Sequence, residues 1–190
     1  MKIGLDMDEV LCDLLSEYIK FLNSEYDMSL SQKHFNGYYA WDTWKGTIEE
    51  KIKLFDEFYK SKYFKNIKPI KEAVDHLLNL KNNHKLYIIT SRPDYLKIHT
   101  RNWIKKYFPE TFSGIYFTNY ILNKKKSDIC KKIGIEIMIE DSVDYALDCS
   151  LYNIKVILLS YPWNKLKIAN DKIMRVNSWL DIANILKMNT

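Results

Sequence analysis

Apolar residues along this chain gather in short runs: Lys2 to Asp6, "KLYIIT" ending at Thr90, "GIYFT" ending at Thr118, "IEIMI" ending at Ile139 and "IKVILLS" ending at Ser160. Each run is short and rich in β-branched or aromatic residues, as in strands buried on both faces. Between them, "PDYLKIHTRNWIKKYF", "KKSDICKKIG" and "SVDYALDCSLYN" read as crossover helices, and "SWLDIANILK" opens with Ser178 and Asp181 in helix-start spacing. This alternation predicts an α/β fold, a Rossmann-like parallel sheet covered by helices.

The interval from Leu14 to about Lys68 breaks the alternation. No strand pattern interrupts it, and "TIEEKIKLFDEFYKS" opens with Thr47 and Glu50 in capping-box spacing. The reading is a small helical insertion, residues 15–68, set into a core formed by residues 1–14 and 69–190. Pro69 suits the first turn of the helix that returns to that core, "PIKEAVDHLLNL".

Composition narrows the class. At 190 residues the chain has room for one domain with a real core or a core plus a small subdomain. Hydrophobic residues at 47%, with 5 Trp and 14 Tyr, exclude a disordered chain. The formal charge is +5, but the lysines are spread along the chain with no nucleic-acid motif beside them, so a solvated surface is favoured over a nucleic-acid groove. Cys12, Cys130 and Cys149 show neither a disulfide framework nor zinc spacing, which fits a reducing compartment. Asp6 and Asp8 break the N-terminal apolar stretch, and no run approaches the ~18 residues of a membrane helix. The expectation is a soluble, cytoplasmic protein without a membrane partner; self-association is left open.

In a parallel α/β sheet, ligands bind outside the carboxyl ends of the strands. This sequence places Asp6 and Asp8 at one such end, Thr90, Ser91 and Arg92 at another, and Glu140 and Asp141 at a third, with a helix starting among Lys124, Lys125 and Lys126. Two acids two positions apart repel each other unless a cation or a proton holds them. Carboxylates from two strand ends suit a hard divalent cation such as Mg²⁺, which keeps waters for a phosphate to displace. The Thr90 and Ser91 hydroxyls and a lysine suit phosphoryl oxygens. Asp6 is placed to attack a bound phosphate, and Asp8 to protonate the leaving oxygen and then deprotonate water. Helical spacing from Ile129, Cys130 and Ile133 favours Lys126 as the inward lysine, with Lys125 second.

"DMDEV" at 6–10, "IITSR" at 88–92, a lysine at the start of "KKSDICKKIG" and "IEDS" at 139–142 together resemble, in order, the four motifs of the haloacid dehalogenase-like (HAD) phosphohydrolases. With "DMDEVLCD" and a helical insertion after the first motif, the chain most resembles the 5'(3')-deoxyribonucleotidases and related bacterial nucleotidases. The resemblance implies a HAD core with a helical cap, and a Mg²⁺-dependent phosphomonoesterase acting on a small nucleotide through an aspartyl-phosphate. It implies Asp6 as nucleophile and metal ligand, Asp8 as acid/base with its backbone carbonyl on the metal, Thr90 as phosphate donor and Asp141 as metal ligand. Glu140 stands where many relatives have Asp, so its reach to the metal stays open.

Other readings compete. Asp6 and Asp8 taken alone suit strand-end caps, and Thr90 and Ser91 suit a helix cap. Arg92 reads as a surface residue or one facing the insertion, and Asp144 as rim or plain surface. Tyr38, Tyr39, Trp41 and Trp44 crowd the insertion. Aromatic residues more often pack a core than hold a ligand, yet Tyr39 and Trp41 are candidates for stacking a base. The rival functions are a phosphatase for a sugar phosphate or another small phosphoester, a phospho-accepting receiver domain, and an inactive binding module. The receiver reading is disfavoured because its accepting Asp belongs after a central strand, apart from the acid pair. The inactive reading has no support, since all motif positions carry competent residues.

Overall fold

The structure is a computed structural model and describes residues 1–35, 47–118 and 125–188. Strand β1 (Lys2–Leu5) leads into helices α1 (Leu14–Glu25), α2 (Ile48–Lys60) and α3 (Lys62–Lys65). Then come α4 (Lys71–Asn83), β2 (Lys85–Thr90), α5 (Lys97–Tyr107), β3 (Gly114–Phe117) and α6 (Lys126–Ile133). The chain continues through β4 (Ile137–Glu140), α7 (Val143–Ser150), β5 (Lys155–Leu159), β6 (Ile173–Val176) and α8 (Trp179–Met188).

The strands form a six-stranded sheet in the order β3-β2-β1-β4-β5-β6. All pairings are parallel, so the fold is α/β and Rossmann-like. Residues alternate between two buried faces. Ile88, Ile137, Ile139, Ile157 and Leu159 pack on the face that takes Leu77 and Leu80 of α4, Trp103 of α5 and Ile182 and Leu186 of α8. Ile89, Met138, Val156 and Leu158 pack on the other, against Cys130 of α6 and Ala146 and Cys149 of α7. A strand buried on both sides has no polar face, which is why these runs read as continuous apolar stretches.

Local signals set the helix ends. Asp13 accepts from the Ser16 amide at the start of α1 (3.1 Å). Thr47 and Glu50 exchange both bonds of a capping box at α2, and Ser178 Oγ accepts from the Asp181 amide at α8. Gly134 ends α6 in the left-handed region (φ 71°), where lack of a Cβ removes the strain. Pro69 departs from its expected place: α4 begins two residues later, and Pro69 instead bridges to Cys12, beside the Ile70 amide bond to the Leu11 carbonyl (2.9 Å). Its missing N–H is tolerated there because the flanking residue supplies the tie.

The helices between β1 and β2 meet through rings. Tyr18 stacks on Phe55 with centroids 4.5 Å apart, and Phe58 lies edge-on to Tyr18 and to Phe64. These rings are continuous with the core on the α4 face. At the far end of the chain, the Trp179 indole donates to the Val10 carbonyl (2.9 Å), tying α8 to the loop after β1. Strand β6 is absent from the sequence-based expectation. It is a four-residue edge strand with Met174 and Arg175 exposed, so it lacks the apolar run of a central strand. No helix among the described residues is long and apolar enough to cross a membrane.

Candidate active site

The strand order turns back at β1 and β4, the place where open α/β sheets bind ligands. Leu5 pairs with Ile139 of β4 and Ile88 of β2. Continuing that register sets Asp6 beside Glu140 and one residue short of Thr90, so residues from three strand ends share one edge. The chain leaves the sheet right after Leu5, and the Asp6 amide still donates to the Ile139 carbonyl (3.0 Å).

Lys126 begins α6 and is fully buried, as is Glu140, while Asp6 is 6% exposed. The Lys126 ammonium lies 2.7 Å from Asp6 Oδ1, also donates to Glu140 Oε1, and sits 4.2 Å from the Tyr145 ring centroid. Lys125 is the helix cap and points to Asp148 (3.6 Å). Lys124, Tyr38, Tyr39, Trp41 and Trp44 lie outside the described residues.

Glu140 is spent on bracing. Its Oε2 accepts from the amides of Asp141 and Ser142, each at 3.0 Å, while Lys126 occupies Oε1. Asp141 is aimed by the turn Pro162–Asn164 after β5: the Trp163 indole donates to its Oδ2 (3.0 Å) and Asn164 donates to its carbonyl (2.6 Å). Thr90 is buried; its Oγ1 accepts from the Arg92 amide (3.2 Å), and the Thr118 amide caps its carbonyl (2.8 Å). Ser91 is half-buried beside it.

Asp8 takes a different cation. Arg92 is 3% exposed and donates to both Asp8 oxygens; of its two readings, the surface one fails and the one facing the insertion agrees with its contact with Phe64. The guanidinium lies over the Phe64 ring, 5.2 Å from its centroid, so α3 covers it, and the half-buried Asp8 carboxylate neutralises it. The two acids of the D-x-D pair are thus separated electrostatically, Asp6 with Lys126 and Asp8 with Arg92.

Burial pushes the Asp6 carboxyl up to about 7, with Lys126 pulling it down and Glu140 and Asp8 pushing it further up. Asp141 stands well above the ordinary carboxylate range, from burial first and then the Glu140 and Asp6 charges. Burial alone would lower the Lys126 ammonium, but the facing Asp6 and Glu140 hold it above its ordinary value. One ammonium therefore does not balance this cluster. Asp6, Glu140 and Asp141 each bring an oxygen within 4.8 Å of the others. An all-oxygen acidic set with uncompensated charge fits a hard divalent cation.

A family model described as "5' nucleotidase, deoxy (Pyrimidine), cytosolic type C protein" matches residues 1–189. The chain belongs to this family. It is accordingly a phosphoric monoester hydrolase, and its substrate is a small phosphomonoester. It is 26% identical over 187 residues to a nucleotidase of Clostridium acetobutylicum, covering 98% of this chain and 93% of that protein. It is 27% identical over 183 residues to a 5'(3')-deoxyribonucleotidase of Bacillus subtilis, covering 95% of each. Among solved structures, a haloacid dehalogenase-like hydrolase from Streptococcus pneumoniae superposes with a TM-score of 0.71 at 18% identity, over 97% of both chains. A HAD-hydrolase from Bacillus subtilis, bound to magnesium, superposes at 0.67 with 15% identity over 97% of each. The fold of this nucleotidase-family member is the HAD fold.

Sequence reasoning passed over Trp163, Asn164, Tyr145 and the role of Arg92. The segment "SYPWN" after β5 carried a usable signal, because its strand end lies on the same edge as the others. Arg92 and Tyr145 offered none, since their roles depend on which elements cover them.

Proposed function

We propose that the protein is a Mg²⁺-dependent nucleotidase that removes phosphate from nucleoside or deoxynucleoside monophosphates through an aspartyl-phosphate on Asp6. The observation that carries this reading is the meeting of Asp6, Lys126, Glu140 and Asp141 at the strand ends where β1 and β4 pair.

Asp6, Asp141 and the Asp8 carbonyl would hold the cation, with Glu140 bracing the turn that presents Asp141. When bound, the ion supplies positive charge for the phosphoryl oxygens. The chain's own residues do the rest. Asp6 attacks phosphorus and the ester oxygen departs, taking a proton from Asp8. Water then attacks phosphorus, gives its proton to Asp8, and the bond to Asp6 breaks to release phosphate. Thr90 and Ser91 donate to the phosphoryl oxygens, and Lys126 offsets charge in a site sheltered from water, where such contacts are strongest. Residues 15–68 act as the cap over this edge, and Tyr39 and Trp41 are its candidates for contact with the base.

The test is a substrate profile of the purified protein across deoxynucleotides, ribonucleotides and sugar phosphates. Higher kcat/KM for the nucleotides supports the reading. A preference for sugar phosphates rejects the nucleotide assignment and leaves the phosphatase chemistry standing.

The metal reading has its own signature in stability. In magnesium-free protein, Asp6 is raised from 3.8 unfolded to about 7 folded, so its contribution is present below 3.8 and lost as pH rises through 7. Mg²⁺ needs the ionised carboxylates, so its thermal stabilisation should be slight at about pH 5.5 and grow toward pH 8. A melting-temperature shift independent of pH over that window would count against ligation by these acids.

A further inference from the structure

The Asp8 carboxylate is held unevenly. Arg92 Nη2 donates to Oδ1 (2.5 Å), the Nε–H is shared between Oδ1 (3.1 Å) and Oδ2, and the Cys12 thiol lies nearer to Oδ1 (3.2 Å) than to its other acceptor, the Met7 carbonyl (3.5 Å). Among the described residues Oδ2 meets only that same Nε–H, shared with Oδ1, at 3.0 Å. The guanidinium is itself fixed: Nη1 donates to Thr100 Oγ1 (3.2 Å), Nη2 reaches Cys12 Sγ (3.4 Å), and the Phe64 ring covers it. Asp8 and Arg92 are 84 residues apart in sequence, so the pair exists only through the fold.

We propose that Arg92 is a positioning residue that divides the labour between the two oxygens of Asp8, anchoring Oδ1 and leaving Oδ2 to give and take the proton. The proposal rests on the reading of Asp8 as acid/base. Oδ1 has Nη2 and the Cys12 thiol to itself besides its share of the Nε–H, so a proton arriving there must displace one of them. Oδ2 keeps acceptor capacity. In the first step the proton on Oδ2 passes to the ester oxygen as the P–O bond breaks. In the second, the attacking water's proton passes to Oδ2 as its oxygen bonds phosphorus and the bond to Asp6 breaks. A planar fork fixes a carboxylate in one plane, which a lysine cannot do, and small displacements of a reacting group cost rate steeply.

Leaving groups read this out. A nucleoside 5'-monophosphate expels an alkoxide that needs the proton, whereas p-nitrophenyl phosphate expels a stabilised phenolate that hardly does. The kcat/KM ratio of the two reports the bond-breaking step and is independent of how much of a variant is folded. Asp8→Asn should lower the nucleotide rate about 10²–10⁴-fold with a much smaller loss on the nitrophenyl ester. Arg92→Met and Arg92→Lys should each lower the ratio at least about tenfold, and Asp8→Asn combined with Arg92→Met should lower it no further than Asp8→Asn alone. An unchanged ratio in both Arg92 variants beside a lowered one in Asp8→Asn makes Arg92 merely structural and overturns the proposal while Asp8 keeps its role. An unchanged ratio in Asp8→Asn overturns the acid/base reading and the proposal with it. Should the Arg92 variants not fold, Thr100→Val decides: loss of the hydroxyl that braces Nη1 should lower the ratio in the same direction, and no change there rejects the proposal.

Discussion

Asp6→Asn is expected to reduce turnover by about 10⁴–10⁶-fold, the loss found when a nucleophile is removed from a site that otherwise stays assembled. The fold should survive. The amide is close in size to the carboxylate, and Lys126 keeps Glu140 as its partner. Removing the charge also removes a liability: Asp6 is raised to about 7 by burial, so in magnesium-free protein its ionised form weighs against folding above that pH. The variant should therefore melt at or above the wild-type temperature at pH 8 without magnesium, and the difference should vanish below the ordinary carboxylate range. Acid-quenched wild-type enzyme given labelled substrate should carry label that hydroxylamine discharges, and the variant none. Retained hydrolysis by the variant would remove Asp6 from the role of nucleophile.

Lys126→Met is expected to damage stability and activity together. The ammonium is wholly buried between Asp6 and Glu140, and taking one partner from a buried ionic cluster costs about 3–5 kcal/mol because charge is left without compensation. The sign with pH follows from the carboxylates left behind. Without the lysine, which pulls the Asp6 carboxyl down, that already raised value rises further, so the deficit is largest at neutral pH and shrinks toward pH 4, as the unfolded chain becomes protonated too. Urea denaturation at pH 7.5 and 5 should show that narrowing. Activity should fall about 10²–10³-fold, the scale for losing one charge-stabilising donor. Magnesium should restore part of the stability, because a cation is what the acids lack. A variant as stable as wild type at neutral pH would mean the cluster is not ionised as described.

The core strands and crossover helices were legible in the sequence because a parallel sheet buried on both faces writes itself as short apolar runs between amphipathic segments. The inward choice of Lys126 followed from spacing to Ile129, Cys130 and Ile133, and that lysine lies at the carboxylates. Strand β6 was hidden because an edge strand half-exposed to water carries Met174 and Arg175 where a central strand would carry aliphatics. Arg92 reads as either a surface residue or one facing the insertion for a related reason: an arginine after a strand is ordinarily solvated, and the packing of Phe64 over it is what makes it interior. Trp163 and Asn164 could be placed on the site's edge from the strand end they follow, but their pairing with Asp141, across 22 and 23 residues, is announced by no local pattern. What the sequence leaves unwritten here is long-range pairing of polar groups.

The central position of β1 bears on biosynthesis. Strand β1 gains its second neighbour only once β4 has been made, and the loop that carries Asp8 is fastened only when Trp179 follows. A nascent chain therefore holds Asp6 apart from Glu140 and Asp141 until β4 is made. The two ties arrive in turn, and a chain interrupted before α8 is left with the loop behind β1 unfastened.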